Sequence, residues 1–280
     1  MNKYIHTLLF GAILIFLNCN GQDATNIIKV GTITQPEITE CSGIIPCGKD
    51  TNLFWVNTDG PRSVIFAINL SGKCVSHSVI SGAPVVDFED IARDDKGHIF
   101  IGDIGNNDAR RRLLAVYMID EPDTSKPTSV STVKQSWRLT FPGKPFDCES
   151  LFIYKENGYV ISKVFNNSQA EIYRFALSDT NKFITLSFIT KLQVKSPVTG
   201  ADISTDGNLL ALTAKNGVYL FEINQNLDSA AKIKPYYVRF TNKHIEGCCF
   251  VPNGLVVTSE DRSIYLFTHN FFHPDTVSNK

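Results

Sequence analysis

The segment Glu89-Asp90-Ile91-Ala92-Arg93-Asp94-Asp95-Lys96-Gly97-His98-Ile99-Phe100-Ile101, followed by Leu114-Ala115-Val116-Tyr117, decides how the whole chain reads. A short apolar start meets a turn rich in Asp and Gly, where Gly supplies the positive φ of a tight hairpin. An apolar strand and then an aromatic strand follow. The same grammar occurs five times, starting at Ser42-Gly43-Ile44-Ile45, Glu89-Asp90-Ile91-Ala92, Glu149-Ser150-Leu151-Phe152, Ala201-Asp202-Ile203-Ser204 and Glu246-Gly247-Cys248-Cys249. The matching turns are Lys49-Asp50-Thr51-Asn52, Asp94-Asp95-Lys96-Gly97, Lys155-Glu156-Asn157-Gly158, Thr205-Asp206-Gly207 and Pro252-Asn253-Gly254.

Successive starts lie 47, 60, 52 and 45 residues apart, close to the length of a four-stranded propeller blade. Fourth strands are read around 74–80, 133–141, 183–190 and 236–240, and an unpaired apolar strand at 27–33 precedes the first unit. The chain is therefore predicted to be all-β, a five-bladed β-propeller closed by its N-terminal strand, which removes an exposed edge. A β-sandwich carrying five hairpins is the alternative.

Composition narrows the function classes. With 280 residues, 43% of them hydrophobic, the chain can bury a large core, and 27 basic against 28 acidic side chains leave no electrostatic footprint for nucleic acid or an anionic membrane. Lys3, the apolar run from Leu8 to Leu17 and small residues from Cys19 to Gly21 read as a signal peptide over 1–21, leaving 22–280 as one propeller domain. The run falls short of the roughly 20 residues that cross a bilayer, so secretion without a membrane span is expected. The competing reading is a bacterial lipoprotein acylated at Cys19.

In an oxidising compartment the six remaining cysteines, Cys41, Cys47, Cys74, Cys148, Cys248 and Cys249, predict at least one disulfide. Buried free thiols are the alternative for one or two of them. The adjacent Cys248 and Cys249 are expected on opposite faces of a strand. Asn69 and Asn166 each open a glycosylation sequon for a eukaryotic host.

In a propeller the first strand of each blade lines the central channel, so the shared starts converge near the axis. That ring reads Ser42, Glu89, Glu149, Ala201 and Glu246. Carboxylates crowded into a narrow channel repel unless a cation sits among them, and oxygen-only ligands favour Ca²⁺. Ser42, Glu89, Glu149 and Glu246 are the predicted metal ligands; capping of strand ends or pairing with Lys and Arg is the other reading. Glu40, Asp87, Asp90 and Asp147 lie one or two residues away and offer alternative frames, and Asp202 can compensate for Ala201.

Loops joining second to third strands open on the same rim. They supply a predicted binding rim of Asn57, Asp59, Asp103, Asn106, Asn107, Lys163, Lys215, Glu260 and Arg262, with Arg62 as a further counter-charge for an anion. Gly102-Asp103-Ile104-Gly105-Asn106-Asn107 is the least ordinary of these segments. His244, beside Glu246, is the histidine best placed for acid–base work. No residue is assigned a catalytic role.

The series Glu40-Cys41-Ser42-Gly43, Phe88-Glu89-Asp90-Ile91-Ala92 with Gly102 to Asn107, Thr199-Gly200-Ala201-Asp202-Ile203 and Glu246-Gly247 resembles a group of secreted, largely uncharacterised β-propeller proteins. More distantly, the ring order is similar to that of the calcium-activated nucleotidases (apyrases), with Ala201 where that family has Ser. The resemblance implies five blades and calcium in the central channel. The expected function is a monomeric, secreted, calcium-binding extracellular module for a ligand or matrix component. A calcium-dependent hydrolase of phosphoesters, nucleotides or lactones is the alternative.

Overall fold

Continuous apolar runs and hairpin turns build five antiparallel sheets in the computed structural model, which describes residues 27–59, 62–165, 167–241 and 244–268. The signal segment 1–21 with Cys19, and the sequon residue Asn166, lie outside the described residues.

Strand β1 spans Ile27–Thr32. The first blade holds β2 (Cys41–Pro46), β3 (Leu53–Thr58), β4 (Val64–Asn69) and β5 (Cys74–Ser81). The second holds β6 (Phe88–Arg93), β7 (His98–Asp103) and β8 (Leu114–Asp120); after a detour through β9 (Thr128–Thr132), β10 (Gln135–Thr140) completes it. The third is β11 (Cys148–Tyr154), β12 (Asn157–Ser162), β13 (Glu171–Ala176) and, past β14 (Ile184–Thr185), β15 (Ser187–Lys191). The fourth is β16 (Val198–Ile203), β17 (Leu209–Ala214), β18 (Gly217–Glu222) and β19 (Tyr236–Arg239), with a short 3₁₀ helix at Leu227–Lys232 before the last strand. In the fifth, β20 (Ile245–Val251), β21 (Gly254–Ser259) and β22 (Ser263–Thr268) are joined by β1, whose Ile27 pairs with Phe267 and Thr32 with Ser263.

The inner strands touch in a closed circuit, β2 to β6, β6 to β11, β11 to β16, β16 to β20 and β20 back to β2. The molecule is thus an all-β, five-bladed propeller. Five apolar layers fill the gaps between blades. Trp55 and Ile99 meet between the first and second, Phe100 and Phe175 between the second and third, and Phe152 and Phe221 between the third and fourth. Leu220 and Phe267 meet between the fourth and fifth, and Phe66 and Val256 between the fifth and first. Middle strands packed on both faces need continuous apolar runs, which is why β3 and β21 are buried at every residue.

Two blades carry a fifth strand that the four-strand reading does not anticipate. Strand β9 runs parallel to β5, and β14 parallel to β10, so each of the second and third units lends a strand back to the blade before it. This use of extra chain accounts for the 60-residue spacing of the second unit and covers two outer edges. In the third unit the turn is Lys155-Glu156, both at positive φ. Gly158 belongs to β12, where a β-carbon would lie 2.1 Å from the Phe175 ring.

The predicted disulfide is not found: Cys41, Cys47, Cys74, Cys148, Cys248 and Cys249 are all free thiols. The blades hold most of them apart, with Cys47, Cys148 and Cys248 in three different core layers, while Cys41 and Cys249 share a fourth without bonding. Cys248 and Cys249 do face opposite sides of β20. Burial pushes the Cys41 thiol up to about 12, so these residues serve as small apolar side chains. Asn69 closes β4 in a tight turn, its Oδ1 accepting from Ser71 Oγ at 2.7 Å and from the Lys73 N–H at 3.0 Å.

Candidate functional site

Every inner strand slips register at the same place, between Cys41 and Gly43, Phe88 and Asp90, Cys148 and Leu151, Val198 and Gly200, and Ile245 and Cys248. A bulge re-aims the extra residue out of the ladder. The residues so displaced include Ser42, Glu89, Glu149, Thr199 and Glu246. The fourth member is therefore Thr199, not Ala201, which pairs with Leu212 and packs between the third and fourth blades. Thr199 Oγ1 donates to the Ile245 carbonyl at 2.7 Å, tying the fourth blade to the fifth.

Glycines let the inner strands approach. A β-carbon on Gly247 would lie 2.8 Å from Gly43 Cα, and one on Gly200 would lie 2.5 Å from the Glu246 carbonyl oxygen. An inner strand is a buried sheet edge, and its N–H groups need acceptors. Asp90 supplies one to its own strand and the next, accepting from the Ile91 and Leu151 N–H groups at 2.8 Å each. Asp202 repeats the device, accepting from Ile203 and Phe250 at 2.8 Å. Burial raises both carboxyls, Asp90 well above its usual range and Asp202 to about 7.

One ring glutamate, Glu149, is paired with a buried lysine. Lys163 Nζ donates to Glu149 and lies 3.9 Å from Asp147, and its side chain is only 7% exposed. The same ammonium favours the ionised forms of Glu89 and Glu246. Even so, burial, Asp87 and Asp59 push Glu89 up to about 9, while burial and Glu260 push Glu246 up to about 8. Asp87 rises to about 6 through burial and the nearby Asp59.

Carboxylate oxygens of Asp59, Asp87 and Glu89 all lie within 4.8 Å of one another. The loop after β7 makes this possible. A β-carbon on Gly105 would sit 2.3 Å from both Asp87 Oδ2 and Glu89 Oε1. Asp103 holds the loop before β6 by accepting from the Asp87 N–H at 2.8 Å, and Arg111 braces it with contacts to Asp103 Oδ1 at 3.0 Å and to the Gly105 carbonyl at 2.6 Å. Asn106 donates its N–H to Asp147 Oδ1 at 2.8 Å.

The predicted rim separates into parts. Asp59, Asp103, Asn106 and Lys163 join or support the acid ring. Asn57 is fully buried, with neither amide atom hydrogen-bonded, and its Oδ1 lies 2.5 Å from where a β-carbon on Gly43 would be, as does Asp90 Oδ1. Glu260 bonds His244 Nδ1 at 2.8 Å beside Glu246, and the exposed Lys215 favours ionised Glu246. Asn107 points to solvent, and Arg262, at positive φ, serves the β21–β22 turn and gives its carbonyl to the Ile33 N–H. Ser42 is buried at its bulge.

Oxygen donors at this spacing suit a hard cation: carboxylates of Asp59, Asp87 and Glu89 can take Ca²⁺ and discharge their repulsion. Buried Asp147 Oδ2 has no hydrogen-bond partner, its nearest positive charge being the Lys163 ammonium at 3.9 Å. Asp59 also borders an open cleft of about 390 Å³ shared with Pro36, Glu37, Thr39, Thr58 and Arg62. Two of the three clustered acids were visible in the sequence as rim or ring positions, whereas the third, Asp87, was an off-frame neighbour two residues before Glu89.

No protein-family model matches the chain, and no curated protein matches it in sequence. Among solved structures the Dos1 propeller is similar at a TM-score of 0.42 and 12% sequence identity, covering 78% of this chain and 52% of that one. The chain thus spans about half the length of that match. Among the described residues, no helix is long and apolar enough to cross a membrane.

Proposed function

We propose that the protein is a secreted, calcium-binding propeller that acts as an extracellular binding module. A closed ring of blades offers a rigid rim, and a propeller serves binding or scaffolding in general. The calcium reading rests on one observation above the others: Asp59, Asp87 and Glu89 crowd their oxygens within 4.8 Å, and none of the three forms an ion pair with Lys or Arg among the described residues. The ligand set moves from the ring of glutamates to one side of it. Glu89 is common to both, Glu149 is occupied by Lys163, and Glu246 and Ser42 complete the ring without joining the cluster.

A cation there neutralises three acids on the first and second blades and joins those blades at the rim. Calcium titration by calorimetry, with Glu89→Gln as control, tests the reading. Wild-type protein should bind calcium and melt higher with it, gaining about 2.7 kcal/mol at a hundredfold excess over Kd. A protein that takes no calcium, with melts unmoved by chelator, ends the reading. A panel of phosphoesters, nucleotides and lactones with and without calcium separates the binding module from a hydrolase, since turnover lost in Glu89→Gln with folding intact would favour the enzyme.

A further inference from the structure

Buried carboxylates bridge two of the blade junctions. Asp90 accepts from Ile91 on its own strand and from Leu151 on the third blade, and Asp202 accepts from Ile203 and from Phe250 on the fifth, each at 2.8 Å. In the first blade the residue after the ring position is Gly43, which has no side chain to reach the second blade. Its partner across the ladder, Asn57 on β3, lies over it instead. Asn57 Oδ1 and Asp90 Oδ1 are each 2.5 Å from the point where a Gly43 β-carbon would be, and the Ile91 nitrogen is 2.7 Å from it.

That meeting point is short of donors. The Ile91 N–H is already given to Asp90 Oδ1, which leaves Asn57 Oδ1 beside another acceptor. Among the described residues no group bonds Asn57 Oδ1 or Nδ2, and the residue is fully buried. An amide sealed from solvent with both ends unmet is costly, and native interiors satisfy such groups with ordered water where protein does not. A cation would meet only the amide oxygen, and an anion only the amide nitrogen. Water both donates and accepts. The two oxygens, each 2.5 Å from one point, are no farther apart than a single water spans with hydrogen bonds of about 2.8 Å.

We propose that internal water is bound at this junction, one molecule donating to both Asn57 Oδ1 and Asp90 Oδ1 and so tying the first blade to the second. Asn57 Nδ2, at the other end of the same amide, needs an acceptor, which a further water bonded to the first supplies. Solvent thus does at Gly43 what the carboxylates of Asp90 and Asp202 do at their own junctions. Gly43 is required there because a β-carbon would press on the polar atoms that the water joins.

A crystal structure of the full chain that places ordered solvent tests this directly. A water should stand about 2.5–3.0 Å from Asn57 Oδ1 and from Asp90 Oδ1. In solution, oxygen-17 relaxation dispersion counts waters held inside the fold for longer than the protein takes to tumble. Asn57→Leu should show at least one fewer than the wild type, because leucine fills the place and offers no partner. Should Asn57→Leu fail to fold, the wild-type crystal alone decides. An amide turned over so that Nδ2 bonds Asp90 Oδ1 directly, with no water between them, overturns the proposal. So does a dry junction with both amide atoms unbonded, or a folded Asn57→Leu that keeps the wild-type count.

Discussion

A β-carbon on Gly105 would lie 2.3 Å from Glu89 Oε1, and the same distance from Asp87 Oδ2. Gly105 is needed for space, because two carboxylates from the neighbouring strand entry fold over its backbone. Those carboxylate ends can swing away, so Gly105→Ala should fold normally but scatter the cluster. Calcium affinity is expected to fall at least about tenfold with circular dichroism unchanged. A Gly105→Ala protein that binds calcium like the wild type would show that the loop after β7 does not shape the site.

The raised carboxyls set a pH dependence with a definite sign. Asp87 at about 6, Glu246 at about 8 and Glu89 at about 9 hold protons in the folded protein that they release when unfolded, where carboxyls titrate near 4. Their contribution is fully present below the unfolded values and is lost as pH rises through the folded ones. Metal-free protein should therefore melt progressively lower from about pH 5 to about pH 9. Saturating calcium favours the ionised forms and should flatten that slope. A pH series of thermal melts with and without chelator checks both, and a metal-free melting temperature that climbs with pH contradicts the burial of these acids.

The blades were legible because each hairpin advertises itself through a Gly or Asn turn between apolar strands, and five repeats outweigh the ambiguity of any one. What was missed has local causes. Ala201-Asp202-Ile203 echoes Glu89-Asp90-Ile91 and a slip of two residues leaves strand alternation intact, so the pattern points to Ala201 where the fold uses Thr199. The repeated pairing of a ring residue with Gly, as in Ser42-Gly43, Thr199-Gly200 and Glu246-Gly247, was the signal available. Lys163 reads as a rim counter-charge, but nothing in its sequence neighbourhood says that it turns inward onto Glu149. The lent strands β9 and β14 pair with the blade before their own, a choice that hydrophobic periodicity does not encode.

Asp202 should prove structural. Its carboxylate accepts from Ile203 on its own strand and from Phe250 on the next blade, each at 2.8 Å. Asp202→Ala removes both acceptors from a buried strand edge, at about 1–3 kcal/mol for each donor left unsatisfied. The variant should melt lower at every calcium concentration while binding calcium with unchanged affinity. A shift in calcium affinity without loss of stability would instead place Asp202 in the metal site.

Lys163 is the cation the protein carries itself. It bonds Glu149, neighbours Asp147 and eases the ionisation of Glu89 and Glu246. Lys163→Met leaves Glu149 and Asp147 buried and uncompensated, and breaking such a pair by deleting one partner costs about 3–5 kcal/mol. Metal-free Lys163→Met should therefore melt well below the wild type near neutral pH. Calcium can occupy the charge deficit that the lysine leaves, so the rise in melting temperature on adding calcium should be larger in the variant than in the wild type. Adding Glu149→Gln removes one stranded charge and should restore part of the loss. If Lys163→Met melts like the wild type, or if calcium lifts both proteins equally and Glu149→Gln restores nothing, the ammonium is not what balances the ring.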